Sequence, residues 1–96
     1  MAFDYVITDE AKASFRKVYD YIAINLFNEA AAANLSSKFE KAVEAACIFP
    51  KSYPIYKKYR RIVVDDYLIF FKIHEEKKVI VIMHALYGAT DYDKIL

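Results

Sequence analysis

The sequence predicts an α+β domain: an N-terminal strand and an antiparallel helical hairpin packed on one face of a mainly antiparallel sheet, in the order β-α-α-β-β-β. Three observations carry that expectation. Apolar residues recur at three- and four-residue steps through residues 11–46, and at strand-like spacing on either side. Pro50 and Pro54 sit in one short segment between the two regimes. The three C-terminal apolar runs are joined by links so short that consecutive runs must lie side by side and antiparallel.

The opening FDYVIT alternates Phe3, Tyr5 and Ile7 with Asp4, Val6 and Thr8, the period of a short strand. Thr8 is placed to cap a helix, and Asp9 and Glu10 suit the positive end of its dipole. Ala11, Phe15, Val18, Ile22 and Leu26 then mark one helical face, which carries the helix to about Asn25 or Phe27. Asn28 and Glu29 interrupt the pattern. A second helix, about residues 29–48, has the apolar stripe Ala32, Leu35, Phe39, Ala42, Val43, Ala46 and Phe49. Lys38, Glu40, Lys41 and Glu44 point outward. Its many alanines allow close packing, Pro50 stops it, and the short link between the helices makes them an antiparallel pair.

FPKSYPIYKKY is the one loop-like stretch. RRIVVD then turns through Asp65 and Asp66 into YLIFFKIH, and EEKK leads into VIVIMHAL, a three-stranded meander. The last two runs are apolar on both faces and belong in the middle of the sheet. The face away from the helices is expected to stay free and to meet a macromolecule.

Bulk properties narrow the function classes. Residues 1–96 are one domain, and a chain of this size buries roughly 60–65% of its unfolded surface. With 57% hydrophobic and 28% charged residues, one glycine and two prolines, disordered, collagen-like and loop-rich scaffolds are excluded. Cys47 is the single cysteine, so no internal disulfide forms, and it reads as a small buried apolar residue. Zinc-type Cys/His spacings are absent, and no metal or cofactor is expected. No signal sequence and no apolar run near 18 residues is seen, which points to a cytoplasmic protein without a membrane partner.

The net charge of +1 gives no strong overall attraction to nucleic acid, so such binding needs a local patch. YKKYRR supplies one: Lys57, Lys58, Arg60 and Arg61 interleave with Tyr56 and Tyr59. These residues can stack on bases, hold phosphates or receive an acidic protein segment; the plainer reading is a solvated loop entering a strand. Nine tyrosines exceed what a small core hides, which favours an interface.

The closing MHALYGATDYDKIL holds His84, Tyr87 and the only glycine, Gly88. Histidine titrates near pH 6.5 and can serve as acid or base, or it can simply be a hydrogen-bonded side chain in an apolar strand. Alternation puts His84 and Tyr87 on opposite faces unless the strand bulges near Gly88. His74, beside Glu75 and Glu76 in a turn, is expected to be solvated.

Over essentially its whole length the chain resembles the RelE/ParE toxin superfamily, the toxin halves of bacterial type II toxin–antitoxin pairs, also known as plasmid stabilisation proteins. The resemblance rests on YVITDEAKASFRKVYDYIA with its Tyr21–Ile22 pair, on FPKSYPIY, and on YRRIVVDDYLIFFKIHEEKKVIVIMHALYGATDYDKIL. It implies a toxin neutralised by a small cognate antitoxin that has a DNA-binding segment and lays an extended segment and a helix over the toxin. RelE-like members of the superfamily cut mRNA on the ribosome without a metal, whereas ParE-like members poison DNA gyrase and need no catalytic site.

The same resemblance assigns candidate residues. Such a ribonuclease needs one group to take a proton from the 2′-OH, another to protonate the leaving oxygen, and cations to hold the phosphate. Arg60 matches the recurrent arginine that opens the second strand, and Arg61 adds a neighbour. Leu68 and His84 stand where the family commonly has arginine, and Ala89 and Thr90 where many members have an arginine pair. Asp91 restores the pattern, and Tyr87 precedes Gly88 as in some branches. The candidate catalytic set is therefore His84, Arg60, Arg61 and Tyr87. Lys57, Lys58, Tyr56, Tyr59, Asp91 and Tyr92 are candidates for binding a partner or nucleic acid. With these cation positions lost, the expectation is a ParE-like or catalytically weakened toxin that inhibits growth by binding a target such as DNA gyrase. The alternatives are a RelE-like mRNA endoribonuclease and a non-toxic antitoxin-binding module.

Overall fold

A computed structural model describes residues 3–96. The order is β1 (Asp4–Ile7), α1 (Asp9–Asp20), a π-helical turn (Tyr21–Asn25), α2 (Glu29–Ala46), a 3-10 turn (Pro50–Ser52), β2 (Ile55–Tyr56), β3 (Tyr59–Val64), β4 (Tyr67–His74) and β5 (Val79–Tyr87). The five strands form one sheet in the order β1-β5-β4-β3-β2. The meander β2 to β5 is antiparallel, and β1 runs parallel to β5, placing Tyr5 beside Ile80 and Ile7 beside Ile82. The two helices form the long crossover that a parallel pair requires. As their two-sided apolar character predicts, β4 and β5 are central.

Thr8 begins α1 as its sequence position suggests. Its Oγ1 accepts a hydrogen bond from the Ala11 N–H at 3.1 Å and donates one to the Ile82 carbonyl at 3.1 Å, fastening the helix start to β5. The helix does not continue regularly to Asn25. At Tyr21 it widens into the π turn, and the Leu26 N–H reaches back to the Tyr21 carbonyl. The extra residue per turn breaks the phase of the apolar stripe. Phe15, Val18 and Ile22 therefore pack on the core, whereas Leu26 is 55% exposed. Asn28 is a cap rather than an interruption: its Oδ1 accepts from the Ala31 N–H at 3.0 Å. Phe49, the last member of the expected α2 stripe, is exposed, because the helix ends at Ala46 before that position comes round to the core.

The main core lies between the helices and the sheet. Leu35, Phe39 and Val43 of α2 face Ile69, Phe71, Ile80 and Ile82 of the central strands. Each such buried side chain contributes about 1.5–3 kcal/mol of transfer free energy before ordering costs. Edge-to-face contacts of Phe39 with Phe15 (5.1 Å) and with Tyr67 (5.8 Å) tie both helices to β4.

One irregularity decides what the other face of the sheet carries. Phe70 pairs with His84 but Phe71 pairs with Ile82, so Met83 is an extra residue in β5. The bulge lies at Met83 and not near Gly88, so His84 and Tyr87 keep the opposite faces that alternation gives them. Ahead of it, Ile80 and Ile82 face the helices; beyond it, Ala85 does, and Leu86 faces the opposite side.

That opposite side differs from the free surface expected from the sequence. Tyr59, Leu68 and Phe70 form a second apolar cluster, and Tyr92 and Leu96 of the C-terminal segment pack on it. The covering is physical necessity: uncovered, these side chains and their neighbours Met83 and Leu86 would expose a contiguous apolar patch. Among the described residues no helix is long and apolar enough to cross a membrane.

Candidate functional site

Of the candidate catalytic residues, Arg61 and His84 share the helix-free face where β3, β4 and β5 run side by side, and Arg60 and Tyr87 do not. Arg61 pairs with Phe70, which pairs with His84, so these three form one row across the sheet. His84 is 7% exposed. Its ring meets that of Tyr59 edge-on, with centroids 5.5 Å apart and planes at 88°. Two ammonium groups lie over the Tyr59 ring, Lys58 at 5.6 Å and Lys72 at 5.4 Å from its centroid.

Arg60 and Arg61 part company. Successive strand residues point to opposite faces, so only Arg61 shares the face of His84. The Arg60 guanidinium donates through Nη1 to the backbone carbonyls of Lys51 at 3.0 Å and Tyr53 at 2.8 Å, binding the proline-containing connector to β3. The Arg61 Nε is buried and has no hydrogen-bond partner. Among the described residues the Arg61 guanidinium enters no salt bridge.

Tyr87 is on the helix side, well away from the imidazole. Its ring lies 5.5 Å from that of Tyr67, in a cleft of about 490 Å³ completed by Lys17, Val18 and Tyr21. Burial, and then the neighbouring Tyr87, Asp66 and Tyr21, push the Tyr67 phenol above its ordinary pKa. Gly88 has a packing role of its own. Its N–H donates to the Asp66 carbonyl at 2.7 Å, and a Cβ at this position would come within 2.9 Å of that oxygen.

The basic candidates form a groove at the β2–β3 edge, about 500 Å³ in volume. Lys57, Lys58 and Arg60 line it together with Tyr59, Lys51 and Lys72. Lys51 bonds Glu75 at 2.6 Å, and this hydrogen bond holds the Glu75 carboxyl below its ordinary value. Lys57 donates to the Asp93 carbonyl at 2.8 Å and lies 3.7 Å from its carboxylate, which pins the C-terminal segment. The Tyr56 ring meets that of Tyr92 edge to face at 5.3 Å, and Tyr92 also touches Phe70 at 5.6 Å. Asp91 is exposed and, among the described residues, pairs only with Lys94, at 3.6 Å.

Lys51 and Lys72 escaped the sequence reading. Lys72 had a signal: it is the one cation in the apolar run YLIFFKIH, two residues beyond Phe70 and so on the same face. Lys51 had none, since its approach to the groove depends on the connector's path. Among the described residues, no three His, Cys, Asp or Glu side chains converge as a metal site would require. His74 is exposed at the end of β4, in keeping with its turn position.

The fold and the site can be set beside known proteins. Residues 5–92 match the sequence pattern of the ParE toxin of type II toxin–antitoxin systems. No curated protein sequence matches significantly. Among solved structures, the chromosomal ParDE toxin–antitoxin system of Pseudomonas aeruginosa superposes with a TM-score of 0.74 at 14% identity, covering 90% of this chain and 96% of that one. An arginine-substituted mutant of Escherichia coli toxin RelE in its free state gives a TM-score of 0.70 at 13% identity, covering 100% of both chains. The same RelE mutant in complex with an antitoxin RelB peptide gives 0.69 at 12% identity, with 100% of this chain and 96% of that one covered. At these identities the structures establish a shared fold, and the sequence match over nearly the whole chain establishes more. The chain belongs to the ParE toxin family of type II toxin–antitoxin systems.

Proposed function

We propose that this toxin arrests growth by binding a macromolecular target such as DNA gyrase, without cleaving RNA, and that a cognate antitoxin holds it inactive in the cytoplasm. The observation that carries the proposal is the dispersal of the catalytic candidates. Arg60 is engaged by two backbone carbonyls, Tyr87 faces the helices, and His84 is 7% exposed with its ring against that of Tyr59. A 2′-OH attack needs an acid, a base and cations around a single phosphate. Here Arg61 is the only member of the set on the same face as His84, whose ring partner is Tyr59, the ring over which Lys58 and Lys72 lie.

The basic groove supports the antitoxin half of the reading. Five cations converge on its walls against Glu75 alone, a field that suits an acidic segment of the partner. The solved ParDE and RelE–RelB complexes pair toxins of this fold with antitoxins. The test is a supercoiling assay with purified DNA gyrase and purified chain. Inhibition that is relieved by the antitoxin supports the proposal. Undisturbed supercoiling, with growth arrest retained in cells, refutes gyrase as the target.

A further inference from the structure

We propose that the cleft between the C-terminal half of α1 and the paired ends of β4 and β5 is a binding site for a small planar aromatic carboxylate. It shares no lining residue with the basic groove, and it does not depend on the identity of the toxin's target.

Position comes first. Tyr67 opens β4 and Tyr87 closes β5, and the register sets them opposite one another. Lys17 and Val18 of α1 and Tyr21, the first residue of the π turn, complete the walls around about 490 Å³. That space falls in the range that holds a small organic ligand. Two edge contacts fix the Tyr67 ring, one with Phe39 at 5.8 Å and one with Tyr87 at 5.5 Å, so this wall is formed in advance. The widening of the helix begins at the cleft itself, and π turns recur at functional sites.

Chemistry selects the ligand. Three phenols line the cleft, and among the described residues none of their hydroxyls enters a hydrogen bond. Burial, and then Tyr87, Asp66 and Tyr21, raise the Tyr67 pKa, which keeps that phenol protonated and able to donate. Lys17 supplies charge: it is exposed and, among the described residues, in no salt bridge. No carboxylate stands in the wall. The rings and Val18 offer apolar surface to an aromatic ring, and the ammonium and hydroxyls donate to a carboxylate.

The opposite charge is disfavoured. Aromatic cages take quaternary ammonium ions on the faces of their rings, but the Lys17 ammonium in this wall repels such a guest. Asp66, whose field reaches Tyr67, lies outside the wall and directs the ligand's carboxylate toward Lys17, leaving its ring at the Tyr67 end. A ligand held this way spans helix and sheet, so it binds the folded chain and stabilises it.

The probe is cinnamate, with cinnamamide as its neutral counterpart and cinnamyltrimethylammonium as its cationic one. Binding to the full chain is followed by backbone amide NMR shifts and by the rise of Tm with probe concentration. Expected are saturable shifts at Val18, Tyr21, Tyr67 and Tyr87, with a dissociation constant of about 1 mM or tighter, as suits a ligand of this size. The amide and the cation should each bind about three- to fivefold more weakly. Lys17→Gln should erase the advantage of cinnamate over the amide, and Tyr87→Phe should weaken cinnamate about threefold or more. Both side chains are exposed, so the variants keep their fold, checked by unchanged spectra away from the cleft. Each of the following would overturn the proposal: no saturable binding at about 10 mM cinnamate, equal or tighter binding of the amide or the cation, or cinnamate binding unchanged in Lys17→Gln. So would shifts centred on the basic groove, or tighter capture of a peptide ending in a free phenylalanine carboxylate, which would make a protein C-terminus the occupant.

Discussion

His84 and Tyr59 meet edge to face, centroids 5.5 Å apart, only because Met83 is an extra residue in β5. Without that bulge His84 would continue the phase of Ile80 and Ile82 and enter the helix-covered core. The arrangement makes His84 a buried packing residue against Tyr59. His84→Phe keeps an aromatic ring against Tyr59 and removes both ring nitrogens. Growth arrest by that variant, scored against wild type at equal expression, is expected to be retained. His84→Ala should instead lower unfolding stability by about 1–3 kcal/mol in denaturant titrations, the cost of an unfilled site.

The two adjacent arginines should behave as different residues. Arg60→Ala strips two backbone carbonyls, those of Lys51 and Tyr53, of their donor and should cost about 1.5–3 kcal/mol. Arg61→Ala, which among the described residues loses no side-chain hydrogen bond at Nε and no salt bridge, should change stability by about 0.5 kcal/mol or less. Urea midpoints of the two variants check the contrast directly.

Gly88→Ala tests whether the glycine serves the turn. A Cβ 2.9 Å from the Asp66 carbonyl forces backbone to move, which should destabilise by about 1–3 kcal/mol. The hydrogen bond from the Gly88 N–H to the same oxygen would weaken, and its amide should exchange faster.

Much of this was legible in the sequence, for identifiable reasons. Thr8, Pro50 and the two-sided apolar runs of β4 and β5 are strong local signals, and each structure they predict is present. The regular end of α1 and the burial of Leu26 and Phe49 were misread, since a π turn and an early helix end leave no mark on a 3.6-residue stripe. At the site, the separation of Arg60 from Arg61 follows from alternation alone. The bulge at Met83 does not, because MHAL carries no glycine or other residue that demands unusual backbone. The covering of the second face by Tyr92 and Leu96 is tertiary, and short polar-flanked segments such as TDYDKIL do not announce where they dock.

Tyr67 gives the fold a pH dependence of predictable sign. Its pKa is raised in the folded state, chiefly by burial, so the folded protein holds this proton more tightly than the unfolded chain. The associated stability is complete below the ordinary tyrosine value near 10 and is lost as pH rises through the higher folded value. Tyr67→Phe should therefore flatten the alkaline fall in Tm relative to wild type while leaving the neutral-pH slope unchanged. Cys47, fully buried and with its thiol pKa raised, should resist alkylation in the native state and react once the chain is unfolded.

The central claim is that this ParE-family chain inhibits by binding rather than by breaking phosphodiester bonds. Expression of the chain without its antitoxin, followed by mapping of RNA 5′ ends across translated messages, tests it most directly. The expected result is growth arrest with messages intact and no ends beyond those of an uninduced culture. New 5′ ends inside coding regions that appear on induction, and that His84→Phe or Arg61→Ala removes, would contradict it.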